Sequence, residues 1–404
     1  MPKNIVICCD GTGNEVGANL SNVLKLFRIV EKNDSQIVFY DPGVGTLSSS
    51  DPWSQLKAKW YLVLGLTTGY GLDANILDAY NFLVQRYEPG DKIFLFGFSR
   101  GAYTVRTLAG FLRLVGLVPS PQSNLSDYAL TAYKKAATKN DLKIGGRFER
   151  IIATQRVPIH FVGVWDTVSS VIVPRPDRFY LPSLQELPFT KKNQYVNVFR
   201  HAVALDERRR MFRLNAWTEP QEFKPNPFAD AISAQDVKQV WFAGVHSDVG
   251  GGYPEGESGA AKFPLRWMIN EAVAHGLNVK KSMFDHLVLG KTLPGGDNTY
   301  TPPGAAAKTH NSLNPGWWLL EWLPKRAKRR EWPKRMSFLG WYFPRAEPRP
   351  VPDGALVHYS VRERIEATSN DRRPYRPINL PHDTVEVGDS HDPGEGPRSA
   401  EVAT

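Results

Sequence analysis

Short apolar runs, each closed by turn residues, alternate along the chain with stretches of helical spacing. Ile5–Cys9 ends at Asp10-Gly11-Thr12-Gly13, and Gln36–Tyr40 ends at Asp41-Pro42-Gly43. Lys92–Phe98 runs into Gly97-Phe98-Ser99-Arg100-Gly101, and Ile159–Trp165 ends at Asp166-Thr167. Val240–Val245 ends at His246-Ser247-Asp248. The longest of these runs are continuously apolar, which predicts parallel strands buried on both faces. Between them, Asp73–Tyr87 places Ile76, Leu77, Tyr80, Leu83, Val84 and Tyr87 at helical spacing. Further helices are predicted over 102–115, 122–139 and 193–211, and near 264–275 and 280–290. Alternating strands and helices predict an α/β fold, a mostly parallel sheet covered by helices on both faces.

The stretches that break this rhythm divide the chain. Residues near 43–72 are rich in Gly and Ser, and 174–195 is rich in Pro and apolar groups. Both read as lid-like insertions within a catalytic unit spanning 1–295. Residues 296–380 change character. Between Trp317 and Arg345 lie five tryptophans and eight Lys or Arg, against Glu321 and Glu331 alone. This segment is expected to pack on the core or on a membrane. Residues 381–404 are acidic and rich in Pro and Gly, the composition of a disordered tail.

At 404 residues the chain is long enough for one large α/β domain with insertions. Its formal net charge of +9 favours anionic partners such as lipid headgroups. Cys8 and Cys9 are adjacent within an apolar run and read as small strand residues. The opening Met1-Pro2-Lys3-Asn4 leads straight into a strand pattern, so no secretory leader is expected. The longest apolar stretch, Trp60–Leu72, is too short to span a bilayer. A cytoplasmic protein is expected, unless a dedicated secretion system exports it.

The chemistry centres on Ser99. A serine hydroxyl needs a base within hydrogen-bond reach, an acid to orient that base, and N–H donors for the oxyanion. Gly-x-Ser-x-Gly between a strand and a helix is the nucleophile elbow that presents such a serine. The partners should follow in the order acid then histidine, at strand C-terminal ends. Asp166 and His246 satisfy both conditions. His201, read as helical, is the alternative base, and Asp206 and Asp248 are rival acids. The oxyanion donors are expected from Arg100, which follows the nucleophile, and from Gly11 or Thr12 after the first strand.

Six ordered stretches resemble one known family. They are Cys9-Asp10-Gly11-Thr12-Gly13-Asn14, Tyr40-Asp41-Pro42-Gly43-Val44-Gly45 and Gly97-Phe98-Ser99-Arg100-Gly101-Ala102. Gly163–Val168, His201–Arg208 and Gly244–Gly251 complete the set. The resemblance is to the α/β-hydrolase domain once catalogued as domain of unknown function 2235, which includes the catalytic domain of type VI secretion phospholipase effectors. It implies an α/β-hydrolase-like fold and a triad of Ser99, Asp166 and His246. It also implies ester hydrolysis with phospholipid as the substrate class.

The tryptophans and basic residues of 317–345 bear on substrate access. Trp favours the membrane interface and basic residues favour anionic headgroups, so peripheral membrane contact is one reading. Packing of the tryptophans onto the core is the other. No cofactor, metal or nucleic-acid motif stands out. The leading expectation is a serine ester hydrolase acting on lipid esters. Two alternatives are a non-catalytic membrane- or partner-binding protein on the same fold, and a metal-assisted phosphoesterase using Asp10, Asp166 and Asp248.

Overall fold

Eight strands hydrogen-bond side by side, all parallel, in a single sheet. They are β1 (Asn4–Cys9), β2 (Gln36–Asp41), β3 (Lys92–Phe98), β4 (Ile159–Trp165), β5 (Val196–Ala204), β6 (Asp236–Phe242), β7 (Ala355–His358) and β8 (Thr384–Val387). The computed structural model describes all residues except 1, 12–18, 44–70, 140, 169–171, 175–181, 185–186, 226–231, 297–298, 333–335, 390–391 and 394–404. Almost all of the first expected insertion and much of the second therefore lie outside the described residues.

The strand order across the sheet is β8-β7-β6-β5-β4-β3-β1-β2. The chain runs outward from β1 to β2, returns to the other side of β1 at β3, and then proceeds to the far edge. The order thus reverses between β1 and β3. In open parallel sheets the crevice outside the strand C-termini at such a reversal is where ligands bind. Asp10 and Gly11 leave β1 there, and Ser99 leaves β3 beside them.

Helices cover both faces because the strands are apolar on both. On one face Ile5, Ile7, Cys9, Ile93, Leu95 and Phe199 pack in one cluster with α2 (Leu72–Arg86), α3 (Arg100–Val115), α4 (Ser126–Lys139) and α5 (Lys143–Ile152). On the other, Val6, Cys8, Phe94, Phe96 and Trp165 pack under α1 (Asn22–Ile29) and under α7 (Lys262–Ala274) and α8 (Lys281–Leu287), which follow further along the chain. The two cysteines are free and buried, one on each face, and burial pushes both thiols upward in pKa. The large parallel sheet with helices on both faces is the α/β architecture that the apolar pattern predicts and the α/β-hydrolase-like fold that the family resemblance implies.

Two features differ from the sequence-based expectation. The helix predicted over 193–211 is instead the central strand β5. Arg200 gives that stretch its amphipathic look, yet its side chain is buried. Its Nε donates to Glu271 at 2.6 Å and its Nη2 to Asp236 at 2.7 Å. A buried guanidinium with two carboxylates mimics a polar helix face in sequence.

The C-terminal region also enters the sheet. Val203, Leu205 and Trp241 pack against Ala355, Val357 and Val361, so β7 and α10 (Tyr359–Ala367) extend the core beyond β6. The expected disordered tail from about Pro381 begins instead with β8, paired in parallel with β7. Beyond it, the Asp392 carboxylate accepts from Arg266 Nε and Nη2, both at 2.7 Å, and from Asn270 Nδ2 at 3.0 Å. Four-residue edge strands carry too little periodicity to stand out in an acidic, proline-containing stretch.

Replacing Asp392 with Ala leaves the Arg266 guanidinium and the Asn270 amide without their buried acceptor. Urea unfolding should show a loss of about 2 kcal/mol. Unchanged stability would mean that the segment after β8 adds nothing to the fold.

Candidate active site

The elbow geometry follows from Gly97 and Gly101. A Cβ on Gly97 would press on the Gly101 carbonyl at 2.5 Å, and one on Gly101 would run into the Cys9 carbonyl. Only glycine lets β3 turn so sharply into α3 and lets α3 lie against β1. Ser99 sits at the turn with φ +56° and ψ −116°, a backbone conformation that L-residues rarely adopt. Such local strain is held by the surrounding structure and is common where side chains act. It lifts the Ser99 side chain out of the sheet at the N-terminus of α3.

Asp166 leaves the C-terminal end of β4 with φ +39°. His246 opens a one-turn helix, α6 (His246–Gly250), four residues after β6 ends. Gly244, with φ +108°, makes the bend possible. The Asp248 carboxylate closes the turn by accepting from Val245 N at 2.9 Å. Gly250 must be glycine, because a Cβ there would enter the Phe98 ring.

These elements bring the three side chains into line. His246 Nε2 lies 2.8 Å from Ser99 Oγ, and His246 Nδ1 lies 2.5 Å from Asp166 Oδ2. The imidazole is held between Phe98 and Phe212, with ring centroids 4.7 and 4.8 Å away. Its backbone N–H donates to Glu207 Oε2 at 3.2 Å. Glu207 is buried and also accepts from Arg209 Nε and Nη2. Burial acts to raise its pKa, but Arg209 beside it holds the carboxyl below the usual range. Both the ring and the backbone of His246 are therefore fixed.

Asp166 is fully buried, which acts to raise its pKa. The Arg349 guanidinium and His246 outweigh that burial and hold the carboxyl well below the usual carboxylate range. Arg349 Nη1 donates to Oδ1 at 2.5 Å and Nη2 to Oδ2 at 3.1 Å, while Ala204 N donates to Oδ1 at 2.9 Å. Arg349 also binds the Ala204 and Phe212 carbonyls, at 3.0 and 2.7 Å. The spacing of motifs carries no signal for Arg349, which lies 183 residues from Asp166 among other arginines and prolines.

The remaining candidates separate. His201 is on strand β5, not on a helix. It is fully buried, and burial first, then Arg106, lowers its pKa to about 3. Its Nε2 accepts from Thr167 N at 3.1 Å, so it is a neutral structural residue bracing the turn after Asp166. Asp206 follows β5 rather than lying in a helix, and accepts from Gly244 N and Tyr375 OH. Asp248 also pairs with His310, at 2.7 Å.

Of the expected oxyanion donors, Arg100 opens α3, where backbone N–H groups point out of the helix end toward the elbow. The Gly11 N–H is instead taken by the Asp10 carboxylate, at 2.7 Å. Thr12 lies outside the described residues. Asp10 also accepts from Tyr40 OH at 3.0 Å and from Ser21 Oγ, which ties the β1 turn to β2 and α1. Asp10, Asp166 and Asp248 thus belong to separate hydrogen-bond groups. Among the described residues no cluster of three or more His, Cys, Asp or Glu could hold a metal ion.

The sheet and the Ser–His–Asp chain at its C-terminal edge define the class, an α/β-hydrolase-like protein. A family model for the T6SS phospholipase effector Tle1-like catalytic domain matches residues 3–271, and the chain belongs to that family. The chain is 34% identical over 243 residues to Uncharacterized protein YEL023C of Saccharomyces cerevisiae, a match covering 56% of this chain and 34% of that one. Two solved structures are also similar. One is an uncharacterized protein from Pseudomonas aeruginosa, at 19% identity and TM-score 0.36, covering 69% of this chain and 46% of that one. The other is the Tle1 effector bound to the VgrG spike from the Type 6 secretion system, at 18% identity and TM-score 0.33, covering 64% and 52%. The chain thus spans about a third of the yeast relative and about half of each of these structures.

Arg349→Met keeps a long apolar stem but leaves the buried Asp166 carboxylate without its guanidinium. The expected cost is about 3–5 kcal/mol in chemical denaturation. Arg349→Lys should recover part of it, because the charge returns without the two-pronged fork. Wild-type stability in the Met variant would show that Asp166 needs no buried counter-ion.

Proposed function

We propose that this protein is a serine hydrolase that cleaves carboxylic esters of phospholipids through an acyl-enzyme. The observation that carries this reading is the unbroken Ser99–His246–Asp166 hydrogen-bond chain, at 2.8 and 2.5 Å, on a strained elbow at the sheet's switch point. Membership of the phospholipase effector family supports lipid esters as the substrate class.

In this mechanism Ser99 Oγ attacks the acyl carbonyl carbon while His246 Nε2 takes its proton. Asp166 holds Nδ1–H and stabilises the imidazolium that forms. The Arg349 guanidinium keeps Asp166 ionised, so the negative charge faces the ring throughout. The carbonyl oxygen becomes an oxyanion that accepts from Arg100 N–H at the α3 N-terminus, aided by the positive end of the helix dipole. His246 then returns the proton to the leaving alcohol oxygen, and the lysophospholipid departs. Water, deprotonated by His246, attacks the acyl-enzyme and releases a fatty acid and free Ser99.

Two readings separate by one experiment. A fluorophosphonate probe should label the wild type covalently and leave Ser99→Ala unlabelled. Fatty-acid release from phospholipid should fall by about 10⁴-fold or more in the variant. Both results should be unchanged by a chelator, whereas a metal-assisted phosphoesterase would lose activity with chelator and keep it in Ser99→Ala. Equal labelling of wild type and Ser99→Ala would overturn Ser99 as nucleophile.

A further inference from the structure

The segment beyond the family match carries a surface that the hydrolase core does not use. α9 (Pro315–Glu321) and the hairpin built on Lys325–Arg326 and Trp341–Tyr342 form one folded unit. Trp322 packs on Phe343, with ring centroids 6.4 Å apart, and Arg345 N donates to the Glu321 carbonyl at 3.1 Å. Yet its large apolar side chains point outward. Leu319 is 71% exposed, Trp322 51%, Met336 93%, Phe338 79% and Leu339 83%, and Trp318, Leu323, Trp341 and Phe343 are exposed with them. Single exposed apolar residues are ordinary on a soluble protein, but nine within 26 residues mark a contact surface.

The charges around these side chains have one sign. Arg326, Lys328, Arg330 and Arg345 are exposed on the same segment. Eight Lys or Arg stand in the segment against two acids, of which Glu321 is buried and Glu331 is engaged by Arg213 and Lys325. The cations lie at ring level, with Arg326 over Trp341 at 5.5 Å and Arg345 over Trp322 at 4.5 Å. Aromatic rings interleaved with cations suit the boundary between acyl chains and anionic headgroups.

The surface also adjoins the Ser99 site. Trp317 on α9 meets Phe212 edge-on at 5.6 Å, and Phe212 meets the His246 ring at 4.8 Å. Arg209 stacks over both aromatic rings, at 3.5 and 5.3 Å. Arg210 Nη1 ties the same loop to the carbonyls of Leu320 and Leu323, at 2.8 and 2.7 Å. An apolar, basic face is thus joined by two aromatic contacts to the histidine.

We propose that residues 317–332 and 336–345 form a docking face for the surface of an anionic phospholipid bilayer, placed beside the mouth of the Ser99 site. The apolar side chains enter the acyl boundary, and Arg326, Lys328, Arg330 and Arg345 meet the headgroup phosphates. Docking there sets the site against the ester bonds of the same membrane. The purpose of this face rests on the lipid-ester reading above, but the binding itself does not.

The test uses Ser99→Ala protein, so that binding is measured without hydrolysis. Co-sedimentation is measured with phosphatidylcholine vesicles, with and without phosphatidylglycerol, in Ser99→Ala and in Ser99→Ala carrying Phe338→Asp and Leu339→Asp. Both added changes fall on highly exposed positions, and an unchanged thermal melt checks the fold. Binding should favour phosphatidylglycerol vesicles, weaken with added salt, and fall about tenfold or more in the Asp variant. Equal vesicle binding by the Asp variant would overturn the proposal, as would no binding to either vesicle. A dimer in light scattering that the Asp variant abolishes, with vesicle binding untouched, would assign the face to a second copy of the chain. If fluorophosphonate labelling fails while vesicle binding holds, the docking face stands and the hydrolase reading falls.

Discussion

The Asp166 carboxylate is fully buried and ionised, and much of the structure follows from keeping it so. Removing a carboxylate from water costs several kcal/mol unless charge and hydrogen bonds replace the solvent. Here one guanidinium, one imidazole and one backbone N–H do so. The guanidinium is Arg349, held in turn by the carbonyls of Ala204 and Phe212. Asn379 Nδ2 then bonds the carbonyls of Arg349 and Leu205, at 3.0 and 2.9 Å. The charge requirement at β4 therefore fixes where the chain must pass more than 180 residues later. The C-terminal extension is a part of the site's electrostatics rather than an appendage to it.

The same logic organises the approach to His246. Its ring is clamped between Phe98 and Phe212, and its backbone hangs on Glu207, itself buried and offset by Arg209. Asp248 caps the turn while pairing with His310, whose other ring nitrogen meets Glu257 at 2.7 Å. The buried acids near the elbow are each met by donors, Asp166 and Glu207 by a guanidinium, and Asp10 and Asp206 by a backbone N–H and hydroxyl groups. The result is a site whose geometry is fixed before any substrate arrives, which is where electrostatic catalysis obtains most of its effect.

How much of this the sequence discloses depends on the range of the interaction. β1, β3 and β4 read directly from their apolar runs, and the Gly-x-Ser-x-Gly elbow reads from its place between a strand and a helix. Asp166 and His246 read from their positions after strands, since each stands where its strand's apolar run stops. β5 misleads because Arg200 and His201 are buried polar residues within a central strand, explained by the distant Asp236 and Glu271 and by the turn at Thr167. β7 and β8 are too short to leave a period. The Gly11 N–H shows a local limit of another kind. Its direction depends on which way the Asp10 carboxylate turns, and residue type does not fix that.

Arg349 and the exposed tryptophans belong to one extension, and their joint placement has a physical consequence. The extension cannot leave the core without stranding a buried carboxylate, so its apolar face is held at a fixed position relative to Ser99. A face on a loose linker would sample many orientations at a surface and deliver the site to ester bonds only occasionally. A face locked to the core by Arg349, Arg210 and the Phe212–Trp317 contact keeps a single orientation. The ion pair that keeps Asp166 ionised therefore also holds in place the surface proposed to meet the lipid.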